Sequence, residues 1–450
     1  MRSTTSLFRR HDTDRAIFRL ALPALGALVA EPLFLLADAA IVGRLGTEQL
    51  AGLGIAAAIL QTLVNSSIFL AYATTASVAR MLGAGEIRGA IRQGVDGCWL
   101  ALLLGGLAAA VGVPSVALVV SWFGAGTDVS EHAETYLRIS LLGLPAMLVV
   151  LAATGILRGL QDTRTPLYVA AAGATGNVVL NIVLVYGAGL GIAGSAIGTV
   201  IAQVAMALVL GWIVVRGARS HGASLRPSWT GLRRSFGAGL PLLIRTMAMR
   251  VALIVSTVVA TSLGTAPLAA HQVVLNTWFL LALVLDAIAI AAQALVGRAL
   301  GAGDTHAARA VTRRMVQWGV IAGFALGVLV VAIGTVYARL FTSDEDVRAL
   351  IVAALVVAAL FQPVAGWVFV LDGVLIGAGD GRFLAAASAL SVAVFLPAAW
   401  TVAALPLGPT EGLVGLWLAI GVWTLARLAT LVWRERSRRW LVTGSGTSTA

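Results

Sequence analysis

The sequence predicts an all-α integral membrane protein: 12 transmembrane helices in two six-helix bundles, related by a pseudo-twofold axis along the membrane normal. Three observations predict it. First, the 450 residues are 59% hydrophobic and only 11% charged, with a mean hydropathy of +0.94, whereas a soluble domain carries about 25% charged residues. Second, the apolar residues gather in a dozen runs, each long enough for the roughly 20-residue helix that crosses a hydrocarbon core. Third, the second half of the chain repeats the first in a constant register.

The runs lie near 18–43, 50–79, 93–122, 133–157, 166–187, 190–215, 237–262, 268–297, 315–340, 349–376, 383–405 and 412–433. Arg9, Arg10, Arg15 and Arg19 precede the first, as in a signal peptide. That run is too long for one and carries Glu31 and Asp38, so it is expected to stay as a span. Arginine sets the orientation. Lys is absent, and with the N-terminus in the cytoplasm 24 of the 31 Arg fall on the inner side, from Arg2 through Arg80, Arg158 and Arg164 to Arg439. Only Arg44, Arg138, Arg339 and Arg348 fall on or near the outer side. The bias holds at every inner loop, so both termini are expected in the cytoplasm of a multi-pass protein of the cell inner (plasma) membrane.

The formal charge of +11 is therefore a topology signal spread over loops, and no nucleic-acid partner is expected. The single Cys98 excludes an internal disulfide and a Cys-based zinc site. The five histidines are scattered without metal spacing, and no Walker A pattern occurs. Gly189-Leu190-Gly191-Ile192-Ala193-Gly194 spells a dinucleotide fingerprint but follows no strand, so it predicts a tight turn with close helix packing. Neither a cofactor, a metal nor an enzymatic site is expected.

The repeat supplies the domain organisation. At a spacing of 218 residues, Pro23 matches Pro241, Leu45-Gly46-Thr47 matches Leu263-Gly264-Thr265, and Leu82-Gly83-Ala84-Gly85 matches Leu300-Gly301-Ala302-Gly303. Further on, Pro145, Gly155, Gly159, Asp162 and Arg164 match Pro363, Gly373, Gly377, Asp380 and Arg382. Gly191 and Gly194 match Gly412 and Gly415 at a spacing of 221. The expected division is a tail over 1–17, a bundle over 18–215, an Arg-rich cytoplasmic loop over 216–236, a second bundle over 237–434 and a tail over 435–450. Six spans per half make the repeats parallel, the arrangement of transporters that carry cargo through a central cavity.

The stretch Glu31-Pro32-Leu33-Phe34-Leu35-Leu36-Ala37-Asp38-Ala39-Ala40-Ile41-Val42-Gly43 with Leu45-Gly46-Thr47 resembles the first helix of the MATE (multidrug and toxic compound extrusion) family, its DinF branch above all. Ala291-Ala292-Gln293-Ala294-Leu295-Val296-Gly297, Leu371-Asp372-Gly373-Val374-Leu375-Ile376-Gly377 and Arg158-Gly159-Leu160-Gln161-Asp162-Thr163-Arg164-Thr165-Pro166 are similar in the same way. The likeness spans nearly the whole chain. It implies a proton- or sodium-coupled antiporter, working as a monomer in the lipid bilayer, that expels cationic and amphipathic small molecules by alternating access. Some proton-coupled relatives carry an acid where Asn181 stands, and the sodium-coupled branch carries one where Met249 stands. The first departure weakens any model in which two carboxylates share the proton; the second turns the expectation toward protons, with sodium the alternative. A lipid or polysaccharide-precursor flippase of the same wider fold is the other alternative.

An ionised side chain at mid-membrane costs about 2.5–3.5 kcal/mol on insertion scales, so each polar residue in a span needs a reason. Asp38 and Glu31 are seven apart, two helical turns, and share a face. Burial disfavours a carboxylate's charged form, which suits such acids to proton coupling. Asn177 and Asn181 face one way on the fifth span and, with Thr199 on the sixth, are the expected cavity and substrate residues. In the second half, one or both of Arg245 and Arg250 are expected to pair with Asp286 or Asp372. Arg427 receives no role. Asp162 and Asp380 are expected to fix loops, and Trp122 and Trp440 to anchor at the membrane interface.

Overall fold

In a computed structural model, residues 10–446 are described; Arg2, Arg9 and the outermost parts of both predicted tails lie outside them. The described chain is helical, without a strand. Its helices are α1 (Arg10–Gly43), α2 (Thr47–Ser66), α3 (Phe69–Gly83), α4 (Ile87–Ser121), α5 (Thr127–Gly159), α6 (Arg164–Ile182) and α7 (Gly191–Ser220). The second series is α8 (Trp229–Ser262), α9 (Thr265–Gly301), α10 (Thr305–Arg339), α11 (Glu345–Leu360), α12 (Gln362–Gly377), α13 (Gly381–Ala404) and α14 (Pro409–Ser437).

Eleven helical stretches are long and apolar enough to cross a membrane, α2 running on into α3 as one of them. The pair α11 and α12, bent by 50° at Phe361, completes a twelfth. Large apolar side chains such as Leu33, Leu107, Leu208 and Phe324 stand fully outward. Only a lipid solvent accepts such a surface, and continuous helices satisfy their backbone groups within it.

Contacts divide the chain into two compact units. One, the N-unit, comprises Leu22–Leu240; the other, the C-unit, takes α1 up to Ala21 and everything from Pro241 onward. The two divisions fall beside Pro23 and Pro241, the matched prolines inside α1 and α8, where a missing N–H weakens the helix ladder. The chain between the halves is shorter than the 216–236 loop expected from composition. Arg216 and Arg219 lie in the last turns of α7 and complement its dipole. Arg233 and Arg234 already belong to α8, which leaves residues 221–228 as the connection.

Matched turns and close helix approaches recur in the two units. Gly85 and Gly303 take φ of 79° and 78°, the left-handed conformation that glycine adopts without strain. In both, the next amide closes the helix end: Glu86 N–H donates to Met81 C=O at 2.9 Å, and Asp304 N–H to Ala299 C=O at 3.0 Å. A Cβ on Gly155 would stand 2.6 Å from the Ala71 carbonyl oxygen, and one on the matching Gly373 would meet that of Ala289, the match of Ala71. Small residues therefore bring α5 onto α3, and α12 onto α9, backbone to backbone.

The first turns of α1 sit on α10 within the C-unit. Asp14 accepts from Arg314 Nε and Nη2, both at 2.6 Å, and from Trp318 Nε1 at 2.8 Å. The position matching Arg314 on α4 is Asp96, which accepts from Ser228 N–H (2.9 Å) and Oγ (3.0 Å) at the start of α8 within the N-unit. Asp162 fixes its loop as expected, accepting from the Arg164 and Thr165 amides, each at 3.0 Å. Its match Asp380 instead takes Arg434 Nε at 2.6 Å. Trp122 is exposed, but Trp440 is 1% exposed and donates to Glu435 C=O at 2.9 Å. An indole so enclosed is a packing element of the C-unit, not an interfacial anchor.

Candidate functional site

Along α1 the residues Ala27, Glu31, Phe34 and Asp38 recur at three- and four-residue steps, one face of a helix. That face lines a cavity of about 360 Å³ inside the N-unit. On α5 the stripe Met147, Leu151, Thr154 and Arg158 lines the same cavity. Asn177 and Thr199 complete its wall from α6 and α7.

Asp38 is 2% exposed and is the focus of a polar cluster. Its Oδ2 accepts from Tyr136 Oη at 2.9 Å, and its Oδ1 accepts from Asn181 Nδ2 at 2.8 Å and from Ser195 Oγ. Donors therefore reach it from α5, α6 and α7. Four residues along from Asn181 and Ser195, Asn177 Nδ2 donates to Thr199 Oγ1 at 3.1 Å. The two Asn and the Ser–Thr pair thus form facing ladders one turn apart. Asn181, not Asn177, is the residue that meets Asp38. Asn181 is fully buried, and its Oδ1 has no partner among the described residues.

Local structure holds this cluster. α6 passes at Val183–Gly187 into a turn of π-helix, a feature frequent at functional sites. Within it Tyr186 Oη donates to Ile41 C=O at 2.6 Å and so ties the end of α1 one turn beyond Asp38. Gly198 lies where any side chain would run into Asn181 Oδ1. Replacing Gly198 by Ala is expected to displace Asn181, cost about 1–3 kcal/mol through overpacking, and slow transport several-fold. Thermal melts and vesicle transport of that variant check both effects.

Glu31 is exposed to the cavity and has no hydrogen bond or ion pair among the described residues. The two acids expected on one face are thus on it, one saturated by donors and one free.

The C-unit holds a different arrangement at the matching positions. Asp372 accepts from Arg245 Nη2 at 2.7 Å and from Arg427 Nη2, and all three are buried. Arg245 makes one of the expected pairs, and the second guanidinium on Asp372 is that of Arg427 rather than Arg250. Asp286 is half-buried on α9 and engaged by the protein. By the repeat, Arg245, Asp372 and Arg427 correspond to Ala27, Thr154 and Met206, all lining the N-unit cavity. Conversely, Asp38, Tyr136, Asn181 and Ser195 correspond to Ser256, Ala354, Ala399 and Leu416, of which the last three lie in the apolar core of the C-unit. One scaffold carries a cavity with a polar cluster in one copy and an ion triad with an apolar core in the other.

Tyr136, Ser195, Tyr186 and Arg427 were not singled out by sequence. Ser195 carried a usable signal, since it precedes Thr199 by four residues as Asn177 precedes Asn181. Tyr136 lay too near the start of its span to stand out, and nothing local marks Tyr186 as a clamp.

Twelve spans, an internal duplication and a polar cluster around one acid inside a cavity define a helical membrane transporter. The chain belongs to the MatE family, whose model matches residues 23–186 and 241–401, one match in each half. It is 31% identical over 440 residues to Protein DETOXIFICATION 44, chloroplastic, of Arabidopsis thaliana, covering 94% of this chain and 82% of that one. It is 30% identical over 434 residues to DNA damage-inducible protein F of Escherichia coli K12, covering 95% and 93%. Among solved structures, a MATE in the bent conformation superposes with a TM-score of 0.88 at 22% identity, covering 95% of this chain and 96% of that one. A variant of the Vibrio cholerae MATE transporter VcmN gives 0.87 at 21%, covering 96% and 99%. The fold is theirs, and the family is one of multidrug and toxic-compound efflux transporters.

Proposed function

We propose that this transporter exchanges protons for cationic or amphipathic small molecules, which it exports across the plasma membrane by alternating access, with Asp38 as the proton-coupling carboxylate. The observation that carries this reading is the cluster around Asp38. Ionised, the carboxylate accepts from Tyr136, Asn181 and Ser195. Protonated, it must donate, and the surroundings allow that: the hydroxyls of Tyr136 and Ser195 accept as well as donate. The unpartnered Asn181 Oδ1 offers a further acceptor once the amide turns over. A site whose hydroxyls can donate to the carboxylate and accept from the acid suits a proton that comes and goes.

Glu31 has the opposite character, free and facing the cavity, and is suited to hold the charge of a cationic cargo. The sodium alternative finds less support in the C-unit. Asp372 already lies between two guanidiniums, and these repel a further cation.

The test imposes proton and sodium gradients separately on proteoliposomes containing the purified chain and follows counterflow of a fluorescent organic cation. The expected result is uptake driven by the pH gradient and indifferent to sodium. Uptake driven by sodium alone would overturn proton coupling.

A further inference from the structure

We propose that the N-unit carries a docking surface for anionic phospholipid, built from Arg88 and Arg92 on α4 and Arg216 and Arg219 on α7. It lies on the face that the arginine bias assigns to the cytoplasm. None of the four arginines lines the transport cavity, so the surface is independent of which ion or cargo the cavity takes.

On α7 the residues Ile201, Val204, Leu208, Trp212, Arg216 and Arg219 recur at three- and four-residue steps, one face of a helix. All six are exposed. The stripe runs from apolar to aromatic to cationic, the order in which a phospholipid presents acyl chain, interface and phosphate. Arg216 is one turn beyond Trp212, a rise of roughly 6 Å, and its Cζ stands 5.4 Å from the Trp212 ring centroid. On α4 the order recurs: Leu107, Leu103, Trp99, Arg92 and Arg88 are exposed in turn.

The two cationic ends meet at the connection 221–228. Gly222 takes φ of 65°, and its N–H donates to the Arg219 C=O at 3.2 Å. A Cβ on Gly222 would stand 4.0 Å from Arg88 Cζ, so the Arg88 guanidinium lies against the turn that ends α7. Trp99 Nε1 donates to the Leu225 C=O at 2.9 Å. Beneath, Ile91 and Val95 of α4 share an apolar cluster with Leu210 and Val214 of α7. A packed framework therefore holds the guanidiniums together. None of the four forms an ion pair among the described residues. Asp96, the one acid within α4, already accepts from Ser228. Phosphate is the anion this layer of a membrane offers, and the guanidinium fork matches it.

The twin unit separates this surface from topology. Trp212 corresponds to Trp433, which is exposed as well, so both copies keep an indole at that level. Arg88, Arg92, Arg216 and Arg219 correspond to His306, Ala310, Ser437 and Trp440. The matched scaffold thus folds without these four cations, and the C-unit meets the arginine bias elsewhere, as at the exposed Arg313 and Arg436. A topology signal asks only for arginine on one side. It does not ask for arginine one turn past an exposed indole on a lipid-facing stripe.

The experiment melts the purified full chain in detergent with added phosphatidylglycerol or phosphatidylcholine of the same acyl chains. Phosphatidylglycerol is expected to raise the melting temperature by about 5 °C more than phosphatidylcholine, as binding to the folded state requires. The double variant Arg88→Gln with Arg216→Gln is expected to lose at least half of that difference. Arg313→Gln with Arg436→Gln, which removes as much charge from the same face of the C-unit, should keep it. Native mass spectrometry provides a second reading if the first double variant melts too low: it should retain fewer phosphatidylglycerol molecules per chain than wild type. Equal stabilisation by the two lipids overturns the inference. So does an equal loss in the two double variants, which would mean a general attraction spread over the surface.

Discussion

Asp38→Asn is expected to abolish cargo accumulation driven by a pH gradient while leaving the protein folded. The substitution preserves shape and still offers an acceptor to Tyr136, but no proton binds there. With one proton exchanged per cargo, each unit of pH gradient supplies about 1.4 kcal/mol and sustains roughly tenfold accumulation. In the variant the ratio should fall to that of empty vesicles at every gradient. Counterflow at equal pH inside and out, which needs binding but no driving force, should persist, because Glu31 and the apolar wall are untouched. Accumulation that survives the substitution would place coupling elsewhere.

The second large effect is expected in the C-unit. Asp372→Asn leaves the Arg245 and Arg427 guanidiniums buried together without their shared counter-charge. Breaking a buried ion pair from one side costs about 3–5 kcal/mol. The melting temperature in detergent should fall by several degrees. Replacing all three residues by their counterparts, Arg245→Ala, Asp372→Thr and Arg427→Met, removes every charge at once and installs the side chains that line the N-unit cavity. That triple variant should melt above Asp372→Asn despite three substitutions, since it leaves no buried charge without its partner. A triple variant less stable than the single one would show that the triad is more than a charge-balanced filling.

Much of the fold was visible in the sequence because membrane spans advertise themselves through composition, and the repeat through register. Pro23 and Pro241 marked positions that became unit boundaries, and Gly85 and Gly303 marked turns that are the same to within a degree. The limits of the connection between halves were less visible. Arginines near a helix end look like loop in a count of charges, yet they serve as the last turn of α7 and the start of α8. At the site, Asp38, Glu31, Asn177 and Asn181 stood out because polar groups in apolar runs are rare. Tyr136 and Arg427 did not, since an aromatic ring or an arginine acquires its role only from what it meets across the bundle. The exchange of polar cluster for ion triad between matched positions needed both units in view, because the repeat is detectable only where the two halves agree.

The most direct test of proton–cargo exchange at Asp38 is proton release on binding. Purified protein in weakly buffered detergent, titrated with a fluorescent organic cation beside a pH indicator, should release up to one proton per cargo bound in wild type and none in Asp38→Asn. Binding without release in wild type, or undiminished release from the variant, would contradict it.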